Sequence, residues 1–560
     1  MINKIKSVIT TNFVILILAL AAVLRLWNLN NIPPHLTPDE AALGYNAYSI
    51  LKTGRDEHGQ FLPLVFKSFG DYKPGLYIYA TVPFVAVFGL NEWSVRLPSA
   101  LAGIGIVYLI YLISKKLFTV HGSLFTLVAL VAATNPWLIY FSRGAWEANL
   151  SLMLTLLGIY FFLRSLHTTY YILYSTVAFA ATLLTYQGAK LSTAIVVALL
   201  VIVYWKDFWN ISKKYLLSSF ALGIIICMPL ILGILQGEGG RLKIFSVFSY
   251  PRPVEYIQKM LNQNGEKIGG INYYVFHNEP YNFLRGIMGR WFNHFSGSFL
   301  FFEGDTANPR HSAPYQGMFL LSDIIILLYG LVVLLKSHAE GGYSISNLKS
   351  AKFILLWLVL SSLPAILSRD QVHAVRSLNM AIPLILIAGI GLVEVLKQLR
   401  IVNYVFFAFY FLVFIYFYDS YFIHLPKQNS KLWEYGYKQI VEVVKPIKNN
   451  YQKIIIQQSF AQPYIYFLFF EKYDPVRWQA QNNYVGSEFK GDVGYVTDID
   501  NIFFEGIDWS RDRGKSGTLF VADPIRIPPH DSREGDEFTI VKEIKYLNGM
   551  DIAFRIIEIK

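Results

Sequence analysis

The sequence of 560 residues contains little charge and almost no cysteine. Only 16% of its residues are charged, whereas 54% are hydrophobic and 16% are aromatic. This composition is too apolar for an ordinary soluble enzyme and is typical of a polytopic membrane protein. The single cysteine, Cys227, excludes an intramolecular disulfide and any metal cluster held by cysteines.

Sequence signals for nucleic-acid binding and for nucleotide chemistry are also missing. The net charge is +11, but the basic residues lie in short loops between hydrophobic runs, where they determine topology rather than form a DNA-binding face. These loops contain no glycine-rich phosphate loop of the P-loop or dinucleotide-binding type. We therefore expect no nucleic-acid partner and no nucleotide-driven reaction on the cytoplasmic side.

Hydrophobic runs long enough to cross a bilayer recur along the first 420 residues. The first run follows Lys4 and Lys6 and has no small-residue cleavage site, so we interpret it as a retained helix with a cytoplasmic N-terminus. Together the runs predict eleven transmembrane helices, near 11–29, 97–114, 121–139, 147–164, 170–185, 188–205, 215–235, 318–336, 351–368, 378–396 and 401–419.

The run 75–90 decides the orientation of all the helices that follow it. If this run crossed the membrane, every basic loop cluster from Lys115 to Arg400 would lie outside the cell. If it lies along the interface, all of these clusters lie inside, as the positive-inside rule requires. Its tyrosines and its internal Pro83 also suit a surface-lying or re-entrant helix. We therefore predict that the C-terminus lies outside.

This topology divides the chain into a transmembrane domain, residues 1–420, and an extracytoplasmic domain, residues 421–560. Almost every polar residue of interest then lies in an outer segment of the first domain, and we expect three of these segments to form the functional site: 30–96, 236–317 and 369–377. The segment 236–317 is too long for a mere connection and is interpreted as a lid or substrate-binding loop.

The tail after residue 420 is richer in charged and turn residues than the chain before it. Its pattern predicts a small α/β domain with an accessory or acceptor-docking role. The expected elements are a helix over 433–448, buried strands at 453–457 and 517–522, and a hairpin from 538 to 559.

The most informative polar motif is Thr37-Pro38-Asp39-Glu40, which follows the first hydrophobic run. Thr37 as N-cap and Glu40 at the third helical position predict a capping box, at the start of a helix that ends at Gly54. Capping accounts for Glu40 but not for Asp39. Asp39 is therefore the stronger candidate for chemistry, and Glu40 is the second.

Other polar residues on the outer side are candidates too, although each has an ordinary structural interpretation. Lys73 suits a lipid phosphate but also the snorkelling of a lysine at a membrane edge. Arg143 and Glu147 have the spacing of an ion pair within a helix.

The outer segments 303–311 and 369–376 hold further candidates. In the second, basic residues lie outside against the positive-inside trend, which indicates either an anionic ligand or a salt bridge with Asp370. In the first, Glu303, Asp305 and His311 are metal-binding residue types, but their spacing is not diagnostic. We therefore predict no metal ligand, and no cofactor is assigned, although a divalent metal stays open.

Together these segments place carboxylates and cations on one face of the membrane. That combination suits a reaction between a phosphate-bearing lipid and a hydroxyl acceptor. The cations hold the leaving phosphate, and a carboxylate takes the acceptor proton.

The ordered set of motifs resembles the GT-C superfamily of polyprenyl-phosphate-sugar glycosyltransferases. It is most similar to the bacterial form of the protein O-mannosyltransferase and lipid A aminoarabinose transferase group. The resemblance is strong over about the first 200 residues, moderate over 300–400 and very weak in the tail. It is carried by Asp39-Glu40, Tyr72-Lys73-Pro74-Gly75-Leu76-Tyr77, Arg96-Leu97-Pro98-Ser99-Ala100-Leu101, Asn135-Pro136, Tyr140-Phe141-Ser142-Arg143 and His373-Ala374-Val375-Arg376.

The resemblance implies a multi-pass cell-membrane enzyme. It would move a sugar from a polyprenyl-phosphate donor to a hydroxyl on a protein, lipid or glycan acceptor, by a single inverting displacement with Asp39 as base. The predicted site comprises Asp39, Glu40 and Glu147 as catalytic residues, Lys73, Arg143, His373 and Arg376 as ligands of the lipid phosphate, and Arg310 and His311 as further loop contacts.

Two departures from the similar proteins affect these assignments. Those proteins often have two prolines where this chain has Pro74-Gly75, and some have an acid where it has Tyr72. The second departure argues against a metal site at that position.

Two other functional classes stay open at this point. A transporter or flippase of a lipid-linked sugar should have ionisable residues within its spans or an internal repeat. This sequence has few such charges, apart from edge positions such as Asp323 and Glu394, and no obvious repeat. An oligosaccharide ligase or polymerase of similar topology cannot be separated from a single-sugar transferase by sequence.

Overall fold

The computed structural model describes residues 2–118, 124–235, 246–339, 348–459, 461–481, 483–487, 493–535 and 537–560. Up to residue 235 the described chain is mostly helical, and a short hairpin interrupts the helices. The helices are α1 Ile2–Leu26, α2 Pro38–Thr53, α3 Leu76–Phe88, α4 Glu92–Leu117, α5 Leu124–Thr134, α6 Pro136–Arg143, α7 Glu147–Ser165, α8 Tyr171–Leu183, α9 Ala189–Val203, α10 Trp205–Trp209 and α11 Lys213–Leu235.

The later part of the described chain combines helices with all but two of the strands. Its α-helices are Val254–Asn262, Glu279–His294, Asp323–Ala339, Leu348–Leu360, Leu363–Ile366, Ala381–Leu396, Arg400–Tyr418, Leu425–Gln428, Tyr437–Ile447, Pro463–Glu471, Pro475–Gln481 and Trp509–Asp512. The strands of the whole chain are β1 Val65–Ser68, β2 Asp71–Pro74, β3 Lys453–Gln457, β4 Tyr484–Val485, β5 Tyr495–Val496, β6 Asp498–Ile499, β7 Ile502–Glu505, β8 Thr518–Ala522, β9 Phe538–Lys545 and β10 Ile552–Ile559.

Helices lie in the described part of each of the eleven predicted spans. Among the described residues, six helices are long and apolar enough to cross a membrane, and α5 with α6 makes a seventh if that bent pair is one span. Four shorter apolar helices include α3, which covers the run predicted to lie along the interface. The mostly helical membrane fold is confirmed, whereas eleven crossings and the sidedness of the termini stay predictions.

The predicted span 121–139 is not one straight helix. The helices α5 and α6 meet at an angle of 54°, because Asn135-Pro136 interrupts the chain between them. Asn135 caps α6, since its side-chain oxygen accepts the N–H of Leu138 at 3.0 Å, and Pro136 takes the first helical position. The bend sets the direction of the short helix that leads to the outer turn at Gly144.

The tail forms a six-stranded sheet with the order β6-β7-β3-β8-β10-β9. The strand β3 runs parallel to both β7 and β8, and β10 runs antiparallel to β8 and β9. Both predicted buried strands and the predicted hairpin are present, and the predicted helix covers Tyr437–Ile447. The division of the chain into two domains stays a prediction.

The sheet-bearing tail shares a hydrophobic core with the segment that carries α2. The helix Pro463–Glu471 packs against α2 at Gly44, where a β-carbon would lie 2.5 Å from both the Phe469 ring and Val95. The hydroxyl of Tyr466 also donates to the carbonyl of Leu36 at 3.1 Å. The tail therefore fixes the position of α2, whose first turn carries Asp39.

Candidate active site

The first turn of α2 holds the acidic motif in a rigid position. Thr37 Oγ1 accepts the N–H of Glu40 at 3.2 Å, and Glu40 Oε2 accepts the N–H of Thr37 at 2.9 Å. This is the predicted capping box, and Gly54 ends the helix in the left-handed conformation with φ 68°. Because capping fixes the turn, the direction of the Asp39 side chain is set as well.

Glu40 is buried in a network that holds the outer segments together. Its Oε1 accepts the Nε–H of Arg96 at 3.1 Å and the backbone N–H of Ala145 at 2.8 Å. Arg96 is fully buried and also donates to the carbonyls of Leu29, Pro33 and His35. These contacts make Glu40 a positioning residue, and we leave it out of the proposed chemistry.

This buried pair leads to a stability prediction. We expect Arg96→Leu to destabilise the protein by about 3–5 kcal/mol, because the Glu40 charge stays buried without its partner. The apparent melting temperature of the purified protein in detergent measures the effect. Lys397→Ala is the control, since its ion pair with Glu394 is exposed, and loss of such a pair costs at most about 1 kcal/mol. Equal melting temperatures for the two variants would contradict this role.

Lys73 is presented by a hairpin that the sequence did not predict. In the β1–β2 ladder Lys73 lies opposite Phe66. The chain leaves β2 at Gly75, whose N–H donates to the carbonyl of Leu64 at 2.9 Å. Proline could not make this hydrogen bond, and a β-carbon at residue 75 would lie 2.3 Å from the Phe66 ring. The hairpin therefore explains why glycine stands where similar proteins often have proline.

Lys73 and Asp39 form an ion pair at the centre of the candidate site. The Asp39 side chain is 62% exposed and that of Lys73 is 22% exposed, so the acid faces solvent while the lysine lies deeper. Burial alone lowers the pKa of Lys73, but the carboxylates of Asp39, Glu147 and Asp71 outweigh it and raise the pKa above its ordinary value. Lys73 is therefore a firmly charged cation.

Glu147 begins α7 after the turn at Gly144, and its carboxylate helps to raise the pKa of Lys73. Tyr186 lies between α8 and α9, and the Glu147 carboxylate acts on its hydroxyl as well. Burial raises the pKa of Tyr186 to about 12, while Arg376 lowers it and Glu147 raises it. Both charges thus act on the Tyr186 hydroxyl. Sequence reasoning missed Tyr186, and the one available signal was its place in a two-residue outer turn between two short spans.

Arg376 and His373 lie in the segment 369–377, which is predicted to be outside. Arg376 Nη1 donates to Asp370 at 2.9 Å, so the salt bridge considered from the sequence is present. His373 Nδ1 accepts the N–H of Arg376 at 3.3 Å. Burial lowers the pKa of His373 well below its ordinary value, and the Arg376 cation acts in the same direction. His373 thus shapes this loop as a neutral ring.

Arg143 lies apart from this group. It is fully buried and donates to the carbonyls of Leu24, Trp27 and Ile32 at 2.6–3.1 Å. Its guanidinium also packs on the rings of two tail residues. Since α6 ends at Arg143 and α7 begins at Glu147, the two are not successive turns of one helix. Arg143 therefore holds the end of α6 against the end of α1 and the residues that follow it. We assign Arg143 no contact with the phosphate.

Arg310 and His311 lie in the outer segment that precedes the helix Asp323–Ala339. The carbonyl of Arg310 accepts the hydroxyl proton of Tyr140. Burial raises the pKa of Glu434 in the tail, and the Arg310 guanidinium opposes that shift. His311 Nδ1 lies 2.9 Å from Asp305. Arg310 therefore interacts with Tyr140 and Glu434, whereas His311 interacts with Asp305.

Glu57 is a buried acid near Lys73 that sequence reasoning did not single out. Asn46 on α2 donates to its Oε1 at 3.0 Å, whereas its Oε2 is buried and has no hydrogen-bond partner among the described residues. Burial raises the pKa of Glu57 to about 8, although the Asn46 hydrogen bond and Lys73 lower it. Its folded form is therefore the protonated acid over most of the physiological pH range.

This shift predicts a pH dependence of stability. Because the folded-state pKa lies above the ordinary value of 4.5, the contribution of Glu57 is complete below about pH 4.5 and is lost as the pH rises through about 8. We expect Glu57→Gln to raise the apparent melting temperature at pH 8.5 and to leave it unchanged at pH 5. An equal effect at both pH values would show that Glu57 does not titrate in this range.

Part of the chain matches a known protein family and a known relative. Residues 73–232, which begin at Lys73, match the family described as dolichyl-phosphate-mannose-protein mannosyltransferase. YycA of Bacillus subtilis, which has a provisional description as a mannosyltransferase, is 32% identical over 133 residues. That match covers 23% of this chain and only 18% of YycA, so it does not extend to the whole protein.

The fold is similar to that of a solved crystal structure over almost its whole length. The crystal structure of ArnT from Cupriavidus metallidurans, bound to undecaprenyl phosphate, superposes with a TM-score of 0.53. The alignment covers 98% of each chain at 12% identity. At this identity the likeness shows the fold alone. Together with the family match over residues 73–232, this likeness in fold confirms the predicted resemblance.

Proposed function

We propose that this protein is an integral membrane glycosyltransferase that moves a sugar from a polyprenyl-phosphate donor to a hydroxyl acceptor. The reaction takes place on the extracytoplasmic side, where the site, the segment 369–377 and the tail lie in the predicted topology. The observation that carries the proposal is the ion pair of Lys73 with Asp39. An anion-binding cation and an exposed carboxylate meet there at the fixed end of a helix.

Lys73 is suited to hold the donor's phosphate. An ammonium group has three hydrogen-bond donors, so Lys73 can keep its bond to Asp39 while it donates to a phosphate oxygen. Arg376 is the second cation on this side and is kept in place by Asp370. As the sugar leaves, negative charge grows on the phosphate, and the two cations stabilise it.

Asp39 is suited to act on the acceptor. Its carboxylate is exposed, and its position is fixed by the capped first turn of α2. It accepts the proton of the acceptor hydroxyl while that oxygen attacks the anomeric carbon from the face opposite the phosphate. One bond to oxygen forms, the bond to the phosphate oxygen breaks, and the configuration at the anomeric carbon inverts.

Glu147 and Tyr186 complete the site. Glu147 adds a second acid near Lys73, and its role is to orient the lysine and the sugar hydroxyls. The Tyr186 hydroxyl stays protonated at physiological pH, because its pKa is raised to about 12. It therefore acts as a hydrogen-bond donor toward the sugar or the phosphate.

Two comparisons support the choice of donor. The matching family is described as dolichyl-phosphate-mannose-protein mannosyltransferase, which names a lipid-phosphate sugar as donor. The solved ArnT structure is bound to undecaprenyl phosphate. We extend the donor class to this chain on these grounds together with the Lys73 geometry. The sugar and the acceptor are left open.

The test is to incubate the purified full-length protein with a panel of polyprenyl-phosphate sugars and a membrane extract as acceptor source. Released lipid phosphate is measured by chromatography. We expect release from at least one donor, with transfer of an equal amount of sugar to the acceptor fraction. No release from any donor, combined with movement of the intact donor across proteoliposomes, would identify a flippase instead.

A further inference from the structure

A second polar group lies where the outer segments 303–311 and 370–376 meet. Asp305 Oδ2 lies 2.9 Å from Nδ1 of His311 and accepts the backbone N–H of Ala374 at 2.8 Å. The rings of His311 and His373 are 5.1 Å apart. One ligand atom from each of Asp305, His311 and His373 lies within 4.8 Å of the others. The proposed transfer reaction uses neither Asp305 nor His311.

We propose that Asp305, His311 and His373 bind a divalent transition-metal ion of the Zn²⁺ class. Two imidazoles and one carboxylate are a common ligand set for zinc, and three protein ligands leave a fourth position for water. Ligand atoms that lie about 2.0–2.2 Å from a zinc ion are about 3–3.5 Å from one another. The His311–Asp305 separation is close to that spacing. Binding of the ion replaces the proton shared by these two side chains.

The surrounding groups hold these three ligands in place. Asp305 is fully buried, and His311 and His373 are each about nine-tenths buried. Asp305 Oδ1 accepts the N–H of Asn308 at 3.0 Å, which leaves Oδ2 directed at His311. The backbone N–H of His373 donates to Nε2 of His294 at 3.1 Å. Hydrogen bonds of this kind, from neighbouring groups to the ligand residues, orient metal ligands before the ion binds.

Charge and access also suit a cation at this position. The Arg376 guanidinium is paired with Asp370, and this carboxylate reduces the repulsion between Arg376 and a bound cation. A cavity of about 230 Å³ is lined by Asp305 and Ser312, among other residues, so it reaches one of the three ligands. Oxygen and imidazole ligands together favour Zn²⁺ over Mg²⁺ or Ca²⁺, which take oxygen ligands.

The site would connect two loops that flank the proposed active site. His373 lies three residues before Arg376, and the His311 ring packs against Trp146, the neighbour of Glu147. The ion would thus lock the segment 303–311 onto the loop that carries Arg376. Metal binding does not depend on the proposed function, because it is measured without donor or acceptor.

The test measures zinc bound by untagged full-length protein in detergent. The protein is treated with EDTA, dialysed against micromolar Zn²⁺, desalted and analysed by mass spectrometry for metal content. We expect about one Zn²⁺ per chain, together with a higher apparent melting temperature than that of the EDTA-treated protein. Wild-type protein that retains no zinc would overturn the proposal.

Substitutions show whether these residues are the ligands. We expect His311→Gln and His373→Gln to lose the zinc, and His311→Cys to keep it, because thiolate is also a zinc ligand. The control is His424→Gln, since His424 forms an exposed pair with Asp419 at 3.1 Å and lies outside the group. Retention of one zinc by both glutamine variants, or equal loss in the His424 variant, would place the ion elsewhere and contradict the assignment.

Discussion

Asp39→Asn is expected to lower glycosyl transfer by about 10²–10⁴-fold, the usual contribution of a general base. The amide keeps the size of the side chain but cannot take the acceptor proton. The fold should persist, because the capping box uses Thr37 and Glu40 rather than Asp39. The measurement is the rate of sugar transfer at saturating donor, with protein yield and melting temperature determined in parallel.

Asp419→Asn is the matched control for this experiment. Asp419 is also an exposed acid in a pair with a basic residue, His424, but it lies outside the candidate site. The control should transfer sugar at the wild-type rate. Transfer by the Asp39 variant at that same rate would remove Asp39 from the chemistry.

Lys73→Ala is expected to weaken donor binding by about 10–100-fold. A hydrogen bond between charged groups contributes about 1.5–3 kcal/mol, and each 1.4 kcal/mol corresponds to a tenfold change in affinity. The loss should fall mainly on the donor KM, with a smaller fall in kcat, because Lys73 holds the phosphate in both the ground state and the transition state. Steady-state kinetics with varied donor separate the two quantities.

Lys67→Ala is the control for Lys73. Lys67 lies in the same hairpin but directs its ammonium group to the Tyr484 ring, 4.7 Å from its centre. Its loss should leave the donor KM unchanged. If the Lys67 and Lys73 variants raised the KM equally, the effect would come from the hairpin as a whole and not from a phosphate contact.

The two variants also separate the two proposed roles. Asp39→Asn should reduce kcat and leave the affinity for the lipid phosphate nearly intact, because the carboxylate acts on the acceptor. Lys73→Ala should show the opposite pattern. If both variants changed kcat and the affinity for the lipid phosphate in the same way, the Asp39–Lys73 ion pair would have only a structural role.

Local sequence signals predicted the parts of the site that depend on neighbouring residues. The capping box at Thr37 and Glu40 involves residues three positions apart, so the start of α2 could be predicted from the sequence. The helices also followed from hydrophobic length, and the strands of the tail followed from their apolar runs. These features need no knowledge of distant contacts.

The residues that sequence reasoning placed less well depend on contacts far along the chain. Arg143 was a candidate phosphate ligand, yet the guanidinium is held by carbonyls more than 100 residues earlier in the chain. Arg96 lies in one of the motifs that carry the resemblance, but its role could not be predicted from the sequence. Its partner Glu40 lies 56 residues away. The β1–β2 hairpin was missed as well, since its short strands carry both polar and aromatic residues.

The pair of Asp39 and Lys73 lies between these two cases. Both residues were predicted from sequence as candidates on one side of the membrane. Their contact spans 34 positions and needs both the hairpin and the docking of α2 against the tail. The sequence could therefore indicate the chemistry, whereas the geometry had to come from the structure.

The most direct test of the central claim is proton NMR of the reaction with an active polyprenyl-phosphate sugar. The anomeric signals of donor and product are followed together with the released lipid phosphate. Our account predicts one equivalent of lipid phosphate for each sugar transferred, and a product whose anomeric configuration is opposite to that of the donor. Retention of configuration would contradict the single displacement, and unchanged donor with every acceptor tested would contradict the glycosyltransferase assignment itself.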